Sequence, residues 1–291
     1  IYFNFLHSEN IADCILVIIE VSYPVKNGVI ADIGNMQAMI DYFFEELDGK
    51  RKLKGADYYI AVPTDITEVE KRAYFDLISN TNLKPRKIHV VEKPIADALG
   101  MNLDITKSTG TLVVDIGANT TEISVLSLGG IVLSRLIAVG GNKFDEAIIG
   151  KIKKDKNFVI GEKTAEQIKI TIGSAYATDE TMDICGRNLV TGLPSEVTVN
   201  GSEIHDALSE HFQSIVDNIK IILERTPPEI SADIYKSGVY ITGGSSRIKD
   251  LGKFIYDQIG LRVNLCEEPE STVIIGLGSI IEDPQLAKLT L

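Results

Sequence analysis

The sequence has 291 residues, with 29 Lys and Arg against 41 Asp and Glu, and so a formal net charge of −12. A hydrophobic share of 44% and a charged share of 24% are ordinary for a globular protein and exclude a disordered, collagenous or fibrous chain. The length predicts about two domains of roughly 100–200 residues, each large enough for its own core, and the acidity argues against nucleic acid as a partner, which needs a basic footprint.

The opening stretch, IYFNFLHSENIADCILVIIEVSYPV, holds several short strand-like pieces with almost no turn residues between them. Compact domains place loops of about four to six residues between elements, so this stretch reads as shortened or spliced. From Asn27 the pattern becomes regular. Met36, Met39, Ile40, Phe43, Phe44 and Leu47 recur at helical spacing and predict a helix over 36–47. The basic loop GKRKLKG follows, then a buried strand over 58–62 (YYIAV). Thr67 and Glu70 form a capping-box signature that opens a helix running to about Ser79. A strand over 87–91 and a short helix over 94–99, with Pro94 tolerated in its first turn, come next.

The run TLVVD at 111–115 is strongly β-branched and predicts a strand. Two further strands, 122–128 and 131–138, flank Gly129-Gly130, a tight hairpin signal. Thr164 and Gln167 predict a second capping box and a helix to about Tyr176. A long amphipathic helix spans 203–224, with Ile204, Leu208, Ile215, Ile219 and Ile222 on one face, and Pro227-Pro228 stops it. The strand GVYIT at 238–242 enters Gly243-Gly244, and a helix from about Arg247 ends at Gly260, a left-handed C-cap. Alternating strands and helices make this a layered α/β protein.

The cysteines Cys14, Cys185 and Cys266 are far apart and read as reduced, mostly buried thiols of a cytosolic protein. The histidines His7, His89, His205 and His211 form no metal-ligand spacing. No apolar run reaches the 18 or so residues of a membrane helix; 14–19 is apolar but too short, and no signal-peptide pattern is read before it.

Three motifs carry candidate chemistry. In Asp115-Ile116-Gly117-Ala118-Asn119-Thr120-Thr121-Glu122 a β-branched strand delivers a carboxylate, a small-residue turn follows, then two hydroxyls and a second strand. Such a turn lets backbone N–H groups form an anion nest, the Asp is suited to Mg²⁺ held through water, and Thr hydroxyls suit phosphate oxygens. The same pattern also fits a plain hairpin turn with an Asx bond. In Gly238-Val239-Tyr240-Ile241-Thr242-Gly243-Gly244-Ser245-Ser246 a strand runs into glycines before a helix, either a ligand approach or a tight connection. Gly140-Gly141-Asn142-Lys143-Phe144-Asp145 is a third close approach or a domain crossing.

In order and at these spacings, the motifs resemble the actin, heat-shock chaperone and sugar-kinase superfamily. The segments Asn27-Gly28-Val29-Ile30-Ala31-Asp32, Ala61-Val62-Pro63, Ile66-Thr67-Glu68-Val69-Glu70, Ile160-Gly161-Glu162-Lys163-Thr164-Ala165-Glu166, Thr191-Gly192-Leu193-Pro194 and Thr226-Pro227-Pro228-Glu229 are similar to the MreB family of bacterial actins, from about residue 20 to the end. The resemblance implies two RNase H-like domains around a nucleotide cleft, each with a smaller inserted subdomain. It divides the chain into 1–108 (domain I), 109–267 (domain II, with a small subdomain at about 150–225) and a return to domain I over 268–291. It implies ATP or ADP with Mg²⁺, Asp115 as the Mg²⁺-water carboxylate, and Gly117, Ala118, Asn119 and Thr120 as a phosphate loop. Gly140, Gly141 and Ser245 belong to the same cofactor-binding set. Gly243 and Gly244 would approach the adenosine, and Glu166 and Lys169 would contact ribose and base. Without the family, Glu166 and Lys169 read as a surface i,i+3 salt bridge. The implied partners are other copies of the chain in a filament, and paralogues, in the cytoplasm or at the inner membrane face.

Four departures from the family pattern stand out. Glu92-Lys93-Pro94 replaces the usual Glu-Glu-Pro, whose second Glu orients the water that attacks the γ-phosphate. A protonated Lys has donors only and cannot do this, so among the candidate catalytic positions Glu92, Lys93 and Thr120 the lysine predicts weak hydrolysis; the alternative is that Glu92 substitutes for it or that Lys93 points elsewhere. Ala118, Asn119 and Ser245 replace glycines, which predicts altered but not abolished affinity. The loop containing Lys50, Arg51, Lys52, Leu53 and Lys54 carries cations where the family has an apolar membrane-inserting pair; it reads as an electrostatic contact with an anionic leaflet or as a solvated loop. The family's first phosphate loop, expected before the equivalent of Ile1-Tyr2-Phe3, is not found, and the small lobe reads as compressed into 5–19; the expectation is that ordered pieces of a longer chain are joined here. A sugar-kinase-type phosphotransferase would need a general base facing a substrate hydroxyl, and no motif supplies one.

Overall fold

The computed structural model describes residues 23–26, 28–48, 54–81 and 83–290. The strand-like pieces and small lobe read in 1–22 lie outside the described residues, as do Lys50, Arg51, Lys52 and Leu53; Lys54 is exposed.

A short antiparallel pair, β1 (Val25–Lys26) and β2 (Val29–Ile30), precedes α1 (Ile33–Asp48). Next, β3 (Asp57–Val62), α2 (Glu68–Ser79) and β4 (Lys87–Glu92) form a βαβ unit with its strands parallel and in register from Asp57↔Lys87 to Val62↔Glu92. The capping box that opens α2 is formed in full: Thr67 accepts from the Glu70 N–H, and Glu70 accepts from the Thr67 N–H. The last residue of β4 leads directly into α3 (Lys93–Gly100).

The larger unit opens with β5 (Thr111–Ile116), β6 (Thr121–Ser127) and β7 (Gly130–Ile137). It continues through α4 (Gly141–Lys156), β8 (Phe158–Val159), α5 (Glu162–Ile172), β9 (Thr181–Asn188), β10 (Pro194–Asn200), α6 (Gly201–Arg225) and α7 (Pro228–Ser237). It closes with β11 (Val239–Thr242), α8 (Leu251–Ile259), β12 (Val263–Leu265) and α9 (Thr272–Glu282). The strand order is β12-β11-β5-β6-β7, with β11 parallel to β5 and β12, and β6 and β7 antiparallel. A separate antiparallel sheet, β10-β9-β8, sits with α5.

Every residue of β5 is buried, because both faces of its sheet are covered. Leu112, Val114 and Ile116 enter a core with α4, α5, α6 and α8, anchored by Phe144, Phe158 and Phe212. On the opposite face Val113 and Leu126 join Ile95, Ala96 and Leu99 of α3 and Leu277 and Ile280 of α9. At about 1.5–3 kcal/mol per fully buried large apolar side chain, this double burial fixes the sheet between its layers. It also fixes the end of β5 against the start of α3.

Several local expectations are corrected. The β6–β7 turn is Leu128-Gly129, not Gly129-Gly130: both have positive φ (53° and 75°), as a two-residue type I′ turn demands, and Gly130 already pairs with Ser127. Thr164 and Gln167 are not a capping box. They lie inside α5, whose N-cap is Gly161, and the helix ends at Ile172 rather than at Tyr176. The second capping box among the described residues is Asn200 with Glu203, opening α6. Pro227-Pro228 ends α6 and also starts α7, with Pro228 in its first turn. The helix expected from Arg247 is a 3₁₀ turn over Gly244–Arg247 followed by α8, which ends at the left-handed cap Gly260 as expected. Cys185 is exposed, not buried, because β9 alternates and turns Ile184 inward. No described helix is long and apolar enough to cross a membrane.

Candidate functional site

The site is built on a row of three residues across the large sheet. Thr242 of β11 pairs with Asp115 of β5, and Asp115 pairs with Glu122 of β6. In-register neighbours point to the same face, so three polar side chains lie side by side in a buried layer. Thr242 Oγ1 is held by Thr272 Oγ1 at 2.6 Å. Glu122 Oε1 accepts from the Thr64 N–H at 2.6 Å and also from the Thr64 hydroxyl, tying the loop after β3 to β6.

Lys93 meets this row from the start of α3. Its ammonium forms an ion pair with Asp115 Oδ2; about 5% of the Asp115 side chain and 25% of the Lys93 side chain are exposed. Asp97 lies one turn along α3 on the same face, almost fully buried. Burial works to lower the Lys93 pKa, but Asp115, Asp97 and Glu122 outweigh it and hold the ammonium charged well above its ordinary range. Burial, with the Asp115 carboxylate, pushes Asp97 well above the carboxylate range, against the pull of Lys93. Neither Asp97 oxygen has a hydrogen-bond partner. Burial also pushes Glu122 up to about 7, against the hydrogen bonds from Thr64 and the charge of Lys93. Glu122 Oε2 has no partner and is free to carry the proton.

Three small-residue turns converge at the end of β5. The Gly117 N–H donates to Thr120 O at 2.9 Å and closes the β5–β6 turn. The first two N–H groups of α4, from Gly141 and Asn142, donate to the Gly117 and Ala118 carbonyls at 3.0 and 2.8 Å. Ser245 Oγ donates to Gly117 O at 2.9 Å, and Asn142 Nδ2 donates to Asn119 Oδ1 at 2.9 Å. A Cβ on Gly140 would overlap the Gly117 and Ala118 carbonyls. A Cβ on Gly243, which has φ +84°, would overlap the Asp115 carboxylate and the Ile116 carbonyl. The Gly140-Gly141 motif is therefore a close backbone approach, and what it approaches is the β5–β6 turn. Lys169 of α5 closes the group, donating to Asp145 Oδ2 at 2.8 Å and to Gly141 O at 3.2 Å.

Residues 17–289 match the MreB/Mbl protein family. The chain belongs to the MreB/Mbl family. It is 37% identical over 262 residues to the cell shape-determining protein MreB of Escherichia coli (strain K12), covering 89% of this chain and 75% of that protein. To the cell shape-determining protein Mbl of Bacillus subtilis (strain 168) it is 39% identical over 262 residues, covering 89% of this chain and 78% of that one. Among solved structures it is similar to MreB5 of Spiroplasma citri bound to ADP, with a TM-score of 0.86 and 32% identity over 93% of this chain and 81% of that chain. The MamK double helical filament matches with a TM-score of 0.78 and 20% identity over 91% of this chain and 82% of that chain, a likeness of fold alone. The fold is actin-like.

Within this MreB/Mbl frame the structure gathers Lys93, Asp115, Gly117, Ala118, Asn119, Thr120, Gly140, Gly141, Lys169, Gly243, Gly244 and Ser245 around the end of β5. Glu92 is half-buried at the end of β4, and its side chain does not cap α3. Glu166 is exposed on α5, and the ion partner of Lys169 is Asp145 rather than Glu166. Sequence reasoning did not single out Asp97, Thr64 and Asp145, and it read Glu122 only as a strand residue. Two signals were present: a charge inside the apolar run Ile95-Ala96-Asp97-Ala98-Leu99, four residues after Lys93, and a Glu at an inward strand position opposite Asp115.

The Mg²⁺ that the family implies at Asp115 does not fit this arrangement. Oδ2 of Asp115 is taken by the Lys93 ammonium, and Gly243 packs tightly against Oδ1. A hydrated Mg²⁺ keeps several waters and would have to share one carboxylate with a fixed positive charge. Among the described residues no group of three or more His, Cys, Asp or Glu side chains is arranged to hold a metal ion.

Proposed function

We propose that this chain is a filament-forming bacterial actin that binds ATP or ADP at the end of β5 and turns it over weakly, in a role of cell shape or motility. The observation that carries this reading is the convergence of the 117–120, 140–141 and 243–245 turns on one carboxylate, with a lysine facing them from α3. The solved relative MreB5 of Spiroplasma citri is bound to ADP in one structure and to AMPPNP in another, and the curated relatives are cell shape-determining proteins. In this reading the 117–120 turn, with Thr120, faces the phosphates, Gly243 and Gly244 lie against the adenosine, and Glu166 and Lys169 serve ribose and base. Head-to-tail contacts between copies are heterologous and do not close, so they produce filaments. Paralogous copies are candidate co-subunits.

Weak turnover follows from Lys93. It stands where the family places the water-orienting carboxylate, and it offers donors only. Loss of a general base typically lowers a rate by about 10²–10⁴-fold. A nucleotide-binding filament without turnover is the second reading, favoured by the engagement of Lys93 with Asp115. The cations Lys50, Arg51, Lys52 and Lys54, around Leu53, are proposed to draw the filament to anionic lipid at the inner membrane face. Flotation with liposomes containing anionic lipid, against neutral ones, tests that contact.

The test of the main reading is sedimentation with paired phosphate-release measurement, with and without ATP. ATP-dependent pelleting with slow or absent phosphate release is the expected result. A chain that shows no pelleting and no phosphate release with ATP would overturn the reading.

A further inference from the structure

Lys93 brings a fixed cation of the protein itself to the end of β5 in the proposed nucleotide site. Lys93 forms an ion pair with Asp115; an ammonium has three donors and one carboxylate oxygen does not use them all, so it can also meet a second anion. Its surroundings keep it in place. Asp97 is on the same helix face, Asp115 lies across from it, and Glu122 is the next residue in the strand row. A lysine ammonium is a compact point charge, well suited to phosphate.

We propose that Lys93 takes the part of the divalent cation in this site, so that the chain binds metal-free nucleoside triphosphate with an affinity indifferent to Mg²⁺. This rests on the nucleotide-binding reading above and adds the form in which the ligand is taken. Two geometric facts carry it. The carboxylate that would anchor a hydrated metal is engaged by Lys93 at Oδ2 and crowded by Gly243 at Oδ1. The positive charge that a polyphosphate needs is already supplied beside the 117–120 turn. Mg²⁺ carried in by the nucleotide offsets phosphate charge that Lys93 would otherwise attract and finds the Asp115 carboxylate already engaged, so the metal adds little to the affinity.

Calorimetric titration of the full chain with ATP, once with millimolar MgCl₂ and once with excess EDTA, tests this directly. The two dissociation constants are expected to agree within about threefold. In Lys93→Glu the cation is gone and a carboxylate faces the phosphates, so binding is expected to weaken at least about tenfold in EDTA and to recover with Mg²⁺. Lys93→Met, which removes the charge without adding one, should move in the same direction, and circular dichroism of each variant checks that it folds. A wild-type affinity that falls about tenfold or more in EDTA overturns the inference while leaving nucleotide binding intact. No binding in either buffer removes both. The wild-type comparison decides the matter even if neither variant folds.

Discussion

Lys93, the first residue of α3, lies with its ammonium on the Oδ2 of Asp115 at the end of β5. Two separate parallel-strand units meet at this contact: β4 runs directly into Lys93, and β5 carries Asp115 into the turn that follows. One ion pair thus joins the smaller sheet to the larger.

Removing one partner of a buried pair leaves the other charge uncompensated, which typically costs about 3–5 kcal/mol. Lys93→Met should therefore lower the urea midpoint clearly at pH 7. Asp97→Asn should change it less, by under about 1 kcal/mol, because burial and the Asp115 carboxylate favour the uncharged form of Asp97, which an amide imitates. Equal losses in the two variants would show that Asp97 is ionised in the folded chain.

The Glu122 carboxyl gives a pH dependence whose sign is fixed. Burial raises it from 4.5 to about 7 in the folded chain, so between these values the folded state binds a proton that the unfolded state does not. Its contribution is present below pH 4.5 and declines as pH rises through about 7, by about 3 kcal/mol in all. Glu122→Gln keeps the acceptor for Thr64 and cannot ionise. Chemical denaturation at pH 5 and pH 7.5 should show a smaller difference in this variant than in the wild type, and an unchanged difference would assign the dependence elsewhere, with Asp97 the next candidate.

Gly243→Ala should be strongly damaging and Gly130→Ala harmless. At Gly243 the backbone is left-handed (φ +84°) and a Cβ would land on Asp115 and Ile116, so a loss of more than about 2 kcal/mol is expected together with loss of ATP binding. At Gly130 a Cβ meets open space, and the change should stay within about 1 kcal/mol. Thermal melts and ATP titration of both variants check this.

Much of the fold was legible because local chemistry and tertiary packing agree. The Thr67–Glu70 capping box, the buried β5 run and the Ile204 to Ile222 stripe of α6 depend on residues close in sequence, and each forms as read. Legibility failed where two local solutions compete. Leu128 takes a left-handed conformation that Gly130 was expected to adopt, because strand register rather than glycine content places the turn. Thr164 resembles a cap but lies within the helix, since Gly161 is the residue that adopts the extended entry conformation. The site was legible only one strand at a time. Asp115 and Lys93 stand out as residues, but their pairing, and the enlistment of Asp97 and Glu122, depends on contacts between segments that no spacing in the chain reveals.

Lys93 is proposed to hold the site in a form that binds nucleotide and hardly hydrolyses it. Phosphate release from ATP and Mg²⁺ by Lys93→Glu against the wild type tests that most directly. Restoring a carboxylate frees Asp115 and returns an acceptor for the attacking water, so release should rise at least about tenfold, within the range a general base supplies. A folded Lys93→Glu that binds ATP and releases phosphate no faster than the wild type would contradict it.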